Sequence, residues 1–187
     1  MYLFMIPLTL GFALAGASAF TAVYSRRWGI RGGQMATSIL RNLLGIPLWL
    51  FGFILAWLEP LPSLFDPNRA IGTLGWLLVA AGSIPVIWGH LVLGWHTHMP
   101  SVQDTLVHHG LYAFIRHPIY AGGLLIFLGL ALLKPTTTVM LACAVGIAWL
   151  IVQARLEEID LVQRLPGYRN YMKQVPGFFP LNITKRR

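Results

Sequence analysis

The sequence predicts an all-α, polytopic membrane protein with about five transmembrane helices, the last two a helical hairpin, followed by a cytoplasmic C-terminal helix or tail. Two observations carry that reading. Hydrophobic residues are 56% of the 187 and charged residues only 11%, against roughly 25% charged in a soluble domain. The apolar residues also fall in long blocks, most of them near the ~20 residues a helix needs to cross a bilayer. The length fits one domain, 1–187, with three spans in 1–93 and a more polar region in 94–187 that holds the hairpin 119–153 and the tail.

The first block, Tyr2 to about Tyr24, is long enough to span. Its Ala17-Ser18-Ala19 resembles a signal-peptidase site, but no positive charge precedes the block, so a retained span is expected. Gly11, Ala15 and Ala19 recur every four residues and make a smooth face for packing within the monomer. A Gly-rich connector with Arg26, Arg27, Arg31 and Arg41 leads to a second span, Asn42 to about Leu58, with Pro47 in its first turns. Glu59 to Ala70 is a proline-rich loop. The third span, Ile71 to about Leu93, contains Pro85, which predicts a kink. After the polar interval Gly94–Gly110, Ile119–Leu133 and Thr136 to about Gln153 are joined at Lys134-Pro135, too short a connection for anything but an antiparallel hairpin. Both arms are at the short end for a span, so the hairpin is expected to tilt or to cross incompletely.

Five spans put the termini on opposite sides. Of the 14 lysines and arginines, all but Arg69 and Lys134 fall on one side. The positive-inside rule makes that side cytoplasmic and the N-terminus external. The +8 net charge is then topology rather than a nucleic-acid footprint. Cys143 is the single cysteine, so no intrachain disulfide is expected.

The chemistry gathers in two clusters. Arg116 and His117, stiffened by Pro118, stand at the mouth of the apolar helix that begins near Ile119. Arginine there is costly unless paired with an anion or held at the aqueous boundary, which marks a functional candidate. The candidate anions, Glu157 and Glu158, leave the fifth span beside Arg155, and the hairpin returns them to the same membrane face and depth. Arg155 and Glu158 are three apart and share a helical face, with Glu157 about 100° away. Carboxylates, a guanidinium and an imidazole at the lip of an apolar cavity suit an amphiphile together with a polar cofactor. His96, His98, His108, His109 and His117 fit no standard zinc spacing, and no metal is expected. His90, inside the third span, is expected to be hydrogen-bonded in the bundle. Gly110, Gly122 and Gly123 allow close backbone approach, while neither a dinucleotide-binding glycine motif nor a P-loop is present. The tail, Tyr168-x-x-Tyr171 followed by Val175-Pro176 and the aromatic run to Pro180, reads as an interfacial anchor or as a lid folded over the site.

The run G-x-Y-x-x-x-R-H-P-x-Y-x-G at Gly110–Gly122, the hairpin, Glu157-Glu158 and Y-x-x-Y-x-x-x-V-P-x-x-x-P together resemble the isoprenylcysteine carboxyl methyltransferase family, with phospholipid methyltransferases as relatives. The resemblance covers about residues 90 to 180. One departure is Leu165-Pro166-Gly167-Tyr168, where the family usually has Phe-Gly-x-x-Tyr.

The resemblance implies S-adenosylmethionine as methyl donor, bound on the cytoplasmic face by the region 94–187. Gly110, Tyr112, His117, Pro118, Tyr120 and Gly122 would line its pocket, and Glu157 or Glu158 would hold its ribose or amino group. Arg155, with Arg116 and Glu158 in the catalytic cluster, would orient a substrate carboxylate. The implied acceptor is a lipophilic small molecule or prenylated substrate carrying an isoprenylcysteine-like carboxylate, drawn from among the membrane lipids. Phospholipid N-methylation or thiol S-methylation is the alternative. Membrane sterol reductases, usually much longer chains, are similar in the same region and would imply NADPH. A non-enzymatic scaffold, with these clusters as ion pairs, is the remaining reading. Oligomeric state is not legible.

Overall fold

A computed structural model describes residues 2–66 and 68–179. Pro180, the end of the expected tail, and the cations Lys185, Arg186 and Arg187 lie outside the described residues, as does Pro67 of the proline-rich loop. The described chain is helical: α1 (Met5–Ala17), α2 (Thr21–Ser38), α3 (Ile46–Leu58), α4 (Arg69–Leu93), α5 (Pro118–Leu133), α6 (Thr137–Arg164) and α7 (Tyr168–Gln174). Its one β feature among the described residues is an isolated bridge between Ser63 and Thr136. Three helical stretches contain a run long and apolar enough to cross a membrane, Thr21–Leu58 (which changes direction at Gly29), Arg69–Thr97 and Thr137–Arg164, with α1 and α5 as shorter apolar helices.

The N-terminal third differs from the sequence expectation. The first span does not run to Tyr24; it ends at Ala17, and Phe20 leaves helical geometry. Two interactions explain the break. Ser18 Oγ donates to the Ala15 carbonyl at 2.6 Å, a local bond that competes with the helix ladder. The first-turn N–H of Ala22 donates to Asp160 Oδ1 on α6 at 2.7 Å, which satisfies one of the donors that a new helix start leaves open. The expected Gly-rich connector is instead helical, and α2 reverses at Gly29, whose φ of 73° is left-handed and therefore suited to glycine. Its two arms pack on each other, with the Thr21 and Thr37 hydroxyls 3.1 Å apart. Ile39–Gly45 is a π-helical turn leading into α3, a widened helix often found at functional sites.

α1 packs antiparallel on α3. A Cβ on Gly11 would lie 2.3 Å from Trp49 N and one on Gly52 2.5 Å from Leu8 N, so the small-residue face is used inside the monomer. The closest pair is α4 with α5. A Cβ on Gly122 would lie 2.3 Å from the Gly82 carbonyl oxygen, and one on Gly82 would lie 2.5 Å from that of Gly122. Such backbone contact is how helices associate where lipid removes the hydrophobic drive. α4 continues through Pro85 as one helix, and His90 Nδ1 bonds the Val86 carbonyl one turn earlier at 2.8 Å. α5 and α6 form the expected hairpin, and Thr138 Oγ1, donating to Ala56 O at 2.9 Å, ties its turn to α3. α6 stays helical past Glu158 to Arg164 and stops before Pro166, because the residue preceding a proline is pushed out of helical geometry.

Candidate functional site

Glu158 is the centre of the polar cluster. Its Oε1 accepts from Arg116 Nε at 3.1 Å, with Arg116 Nη2 2.8 Å away in an ion pair, and lies 3.0 Å from His117 Nε2; its Oε2 accepts from Arg155 Nη1 at 2.9 Å. The side chains of Glu158, His117 and Arg116 are 6%, 5% and 9% exposed, whereas Arg155 is 69% exposed. Buried ions are tolerated only with such pairing. Arg116 Nη1 also donates to the carbonyls of Met172 (2.7 Å) and Val175 (2.8 Å), so the guanidinium is fully used. The tail folds back over this cluster: the N–H groups of Arg116 and His117 donate to Pro176 O and Gly177 O, and the Phe178 ring lies 5.6 Å from that of His117. Tyr171 OH donates to Tyr112 O at 2.6 Å, fixing α7 to the short 3₁₀ turn Gly110–Ala113. Burial pushes the phenols of Tyr112 and Tyr168 above their ordinary pKa, so both stay neutral.

Beside the cluster lies a cavity of about 510 Å³. Its polar wall includes Arg41, Tyr112, Arg116, His117, Tyr120, Gln153 and Glu157, and its apolar wall includes Phe12, Trp49, Ile126, Phe127 and Trp149. Phe12 stacks on both Trp49 and Trp149, at 5.9 and 5.4 Å between centroids. Glu157 faces the cavity, accepting from Tyr120 OH and from Gln153 Nε2 at 3.2 Å, with Arg41 Nη1 3.9 Å away. Gln153 is 4% exposed, yet its Oε1 has no hydrogen-bond partner; neither have Nε and Nη2 of Arg41.

The structure divides the sequence-predicted residues. Tyr112, Arg116, His117, Tyr120 and Glu157 line the cavity; Gly110, Pro118, Gly122, Arg155 and Glu158 do not. Gly122 is committed to the α4 contact, and Gly110 turns the chain at φ 59°. Arg155, expected to orient a substrate carboxylate, sits on the outer side of Glu158. Residues passed over in the sequence also matter. Gln153 precedes Glu157 by one helical turn, a spacing that could have revealed it. Arg41 and Asn42 come from the π-helical turn, and Asn42 Nδ2 donates to His98 O at 2.8 Å. A second ion network joins Arg164 to Asp160 (2.7 Å) and Asp104 (2.9 Å), with His96 Nδ1 2.8 Å from Asp104, and ties the loop after α4 to α6. Among the described residues, no three His, Cys, Asp or Glu side chains come together as metal ligands would.

Fold and site define a helical integral-membrane protein in which one cavity joins a charged wall to an apolar one. The chain belongs to the phospholipid methyltransferase family, whose sequence profile matches residues 70–166, a family of membrane methyltransferases of the isoprenylcysteine carboxyl methyltransferase type. It is also similar to the cobalt-zinc-cadmium resistance protein CzcN of Cupriavidus metallidurans, 28% identical over 151 residues, 76% of this chain and 65% of that protein. No solved structure is significantly similar to it.

Proposed function

We propose that the protein is an S-adenosylmethionine-dependent methyltransferase acting on a lipophilic acceptor, with the carboxylate of an isoprenylcysteine-like molecule as the leading substrate. The observation that supports it most is the unpartnered Oε1 of Gln153, buried in a cavity wall beside Glu157. A buried acceptor without a donor is costly, and an adenosine or amino-acid N–H would supply one. The residues present therefore fit the donor: Glu157 and Gln153 as acceptors for its hydroxyl and amino groups, and the rings of Tyr112, Tyr120 and His117 as faces for its adenine and its cationic sulfur.

When bound, S-adenosylmethionine supplies an electrophilic methyl group on a sulfonium. The chain has to align an acceptor with it in a dry site. Phe12, Trp49 and Trp149 exclude water and take an apolar chain. Arg116 and Glu158 act as positioning residues, locking His117 and the tail together. A carboxylate acceptor is already ionised and needs no base; an amine acceptor would need one, and Glu157 faces the cavity to serve. That placement, with the family's name, favours phospholipid N-methylation as the second reading. The bias of lysine and arginine toward the end of the bundle that carries the site supports a cytoplasmic active site.

Calorimetric titration of the detergent-purified protein with S-adenosylhomocysteine and, in parallel, NADPH tests the proposal. Saturable binding of S-adenosylhomocysteine, weakened about tenfold in Glu157→Gln by loss of a charged acceptor, is expected. Binding of NADPH in its place would turn the assignment to a reductase, and heat from neither would leave a scaffold.

A further inference from the structure

Among the described residues, Arg41 is the cavity-lining arginine that keeps buried N–H groups without a hydrogen-bond partner. It is supplied by the π-helical turn Ile39–Gly45, outside the family-matched residues 70–166. Its Nη1 is 3.9 Å from Glu157 Oε1, while Nε and Nη2 are buried with no hydrogen-bond partner. These two nitrogens share one edge of the guanidinium, the edge that grips two oxygens of a carboxylate or phosphate side by side. The two other arginines that line the cavity are committed: Arg116 to Glu158 and the carbonyls of Met172 and Val175, and Arg164 to Asp160, Asp104 and the Ser101 carbonyl.

The surroundings of Arg41 indicate which ligand carries the oxygens. Phe12 and Trp49, from α1 and α3, line the same cavity, as does Ile46 just beyond the π-helical turn. The groups proposed to hold the methyl donor, Tyr112, His117, Tyr120, Gln153 and Glu157, all lie within the family-matched segment. We infer that the Nε–Nη2 edge of Arg41 is the subsite that holds the acceptor's oxyanion, a carboxylate or a phosphate, next to its apolar chain. The inference rests on the methyltransferase reading for the word acceptor, but the oxyanion site itself is testable without methyl transfer. If the held group is the carboxylate that reacts, Arg41 fixes the nucleophile. If it is a phosphate, Arg41 fixes the headgroup beside the reacting atom.

The test is binding of paired amphiphiles to the detergent-purified full chain: S-farnesylthioacetate against its methyl ester, and dodecyl phosphate against dodecanol. The wild type is expected to prefer one charged member over its neutral partner by about tenfold or more, the scale of a charge-assisted bidentate pair. The pair that shows the preference tells carboxylate from phosphate. Arg41→Gln should abolish that preference, and Arg41→Lys should restore part of it, while S-adenosylhomocysteine binding stays within about twofold in both. If Arg41→Gln does not fold, Arg41→Lys carries the comparison with a reduced preference. No charged preference in the wild type, or a preference unchanged in the variants, overturns the inference. Loss of S-adenosylhomocysteine binding in a variant with an intact thermal transition also overturns it, assigning the edge to the donor's carboxylate. Failure of the wild type to bind S-adenosylhomocysteine would instead sink the methyltransferase reading, leaving the amphiphile preference to stand or fall separately.

Discussion

Glu157 and Glu158 are adjacent on α6 but have opposite surroundings. Glu158 meets Arg116, His117 and Arg155, each at 3.0 Å or less, and does not line the cavity of about 510 Å³. Glu157 lies on a cavity wall with Gln153 and Arg41, where one buried acceptor and two buried donors are unpartnered. Natural interiors rarely leave buried polar groups unpaired. A saturated cluster is therefore read as the frame of the site and an unsaturated one as the place where a ligand completes it. The frame holds the tail, α5 and α6 together, and the unsaturated wall also draws on the N-terminal third.

The largest expected effect tests the frame. Glu158→Ala leaves Arg116, whose side chain is 9% exposed, as a buried guanidinium with its carboxylate gone. Breaking a buried pair from one side costs about 3–5 kcal/mol. A fall in thermal midpoint well beyond that of any cavity variant is expected in detergent, together with earlier proteolysis of the tail that Arg116 holds. A near-wild-type midpoint would mean that Glu158 is not the keystone of the cluster.

The next effect is on binding rather than stability. Gln153→Leu removes the unpartnered Oε1 at similar volume and gives up one 3.2 Å donation to Glu157. Losing an unsatisfied buried group offsets losing the bond, so stability should change by under about 1 kcal/mol in either direction. Affinity for S-adenosylhomocysteine should nevertheless fall about tenfold, the worth of one good buried hydrogen bond. Unchanged affinity would place the methyl donor elsewhere in the cavity.

The frame was more legible in the sequence than the wall. Lys134-Pro135 leaves room only for a tight hairpin, and a tight hairpin between two apolar arms must bring residues near 117 and 157 to one end. That logic is local and needs no tertiary detail. The wall depends on contacts that composition does not encode. The start of α2 is set by Asp160, 138 residues away, and the reversal at Gly29 is one of several that a Gly-rich run permits. The π-helical turn that carries Arg41 has the same residue types as an α-helical one. A carboxylate in the polar loop, Asp104, joins Arg164 only once the loop after α4 has folded against α6. Gln153 alone could have been found, because it lies one turn before Glu157 and shares its face.

The smallest effect expected of the cluster is at Arg155. The guanidinium makes one 2.9 Å bond to Glu158 Oε2, but 69% of its side chain is exposed, and water replaces it readily. An ion pair of this kind is worth roughly 0–1 kcal/mol, and less as salt screens it. Arg155→Ala should shift the thermal midpoint by a small amount that disappears at high ionic strength, and S-adenosylhomocysteine affinity should hold. Arg155 is also the residue that the family resemblance assigns to the substrate carboxylate, so the variant separates two accounts of acceptor binding. If Arg155→Ala leaves the preference for a charged amphiphile intact while Arg41→Gln removes it, the oxyanion is held from inside the cavity. If the loss follows Arg155 instead, a lipid headgroup docks on the outer side of Glu158, and the unpartnered edge of Arg41 answers to some other ligand.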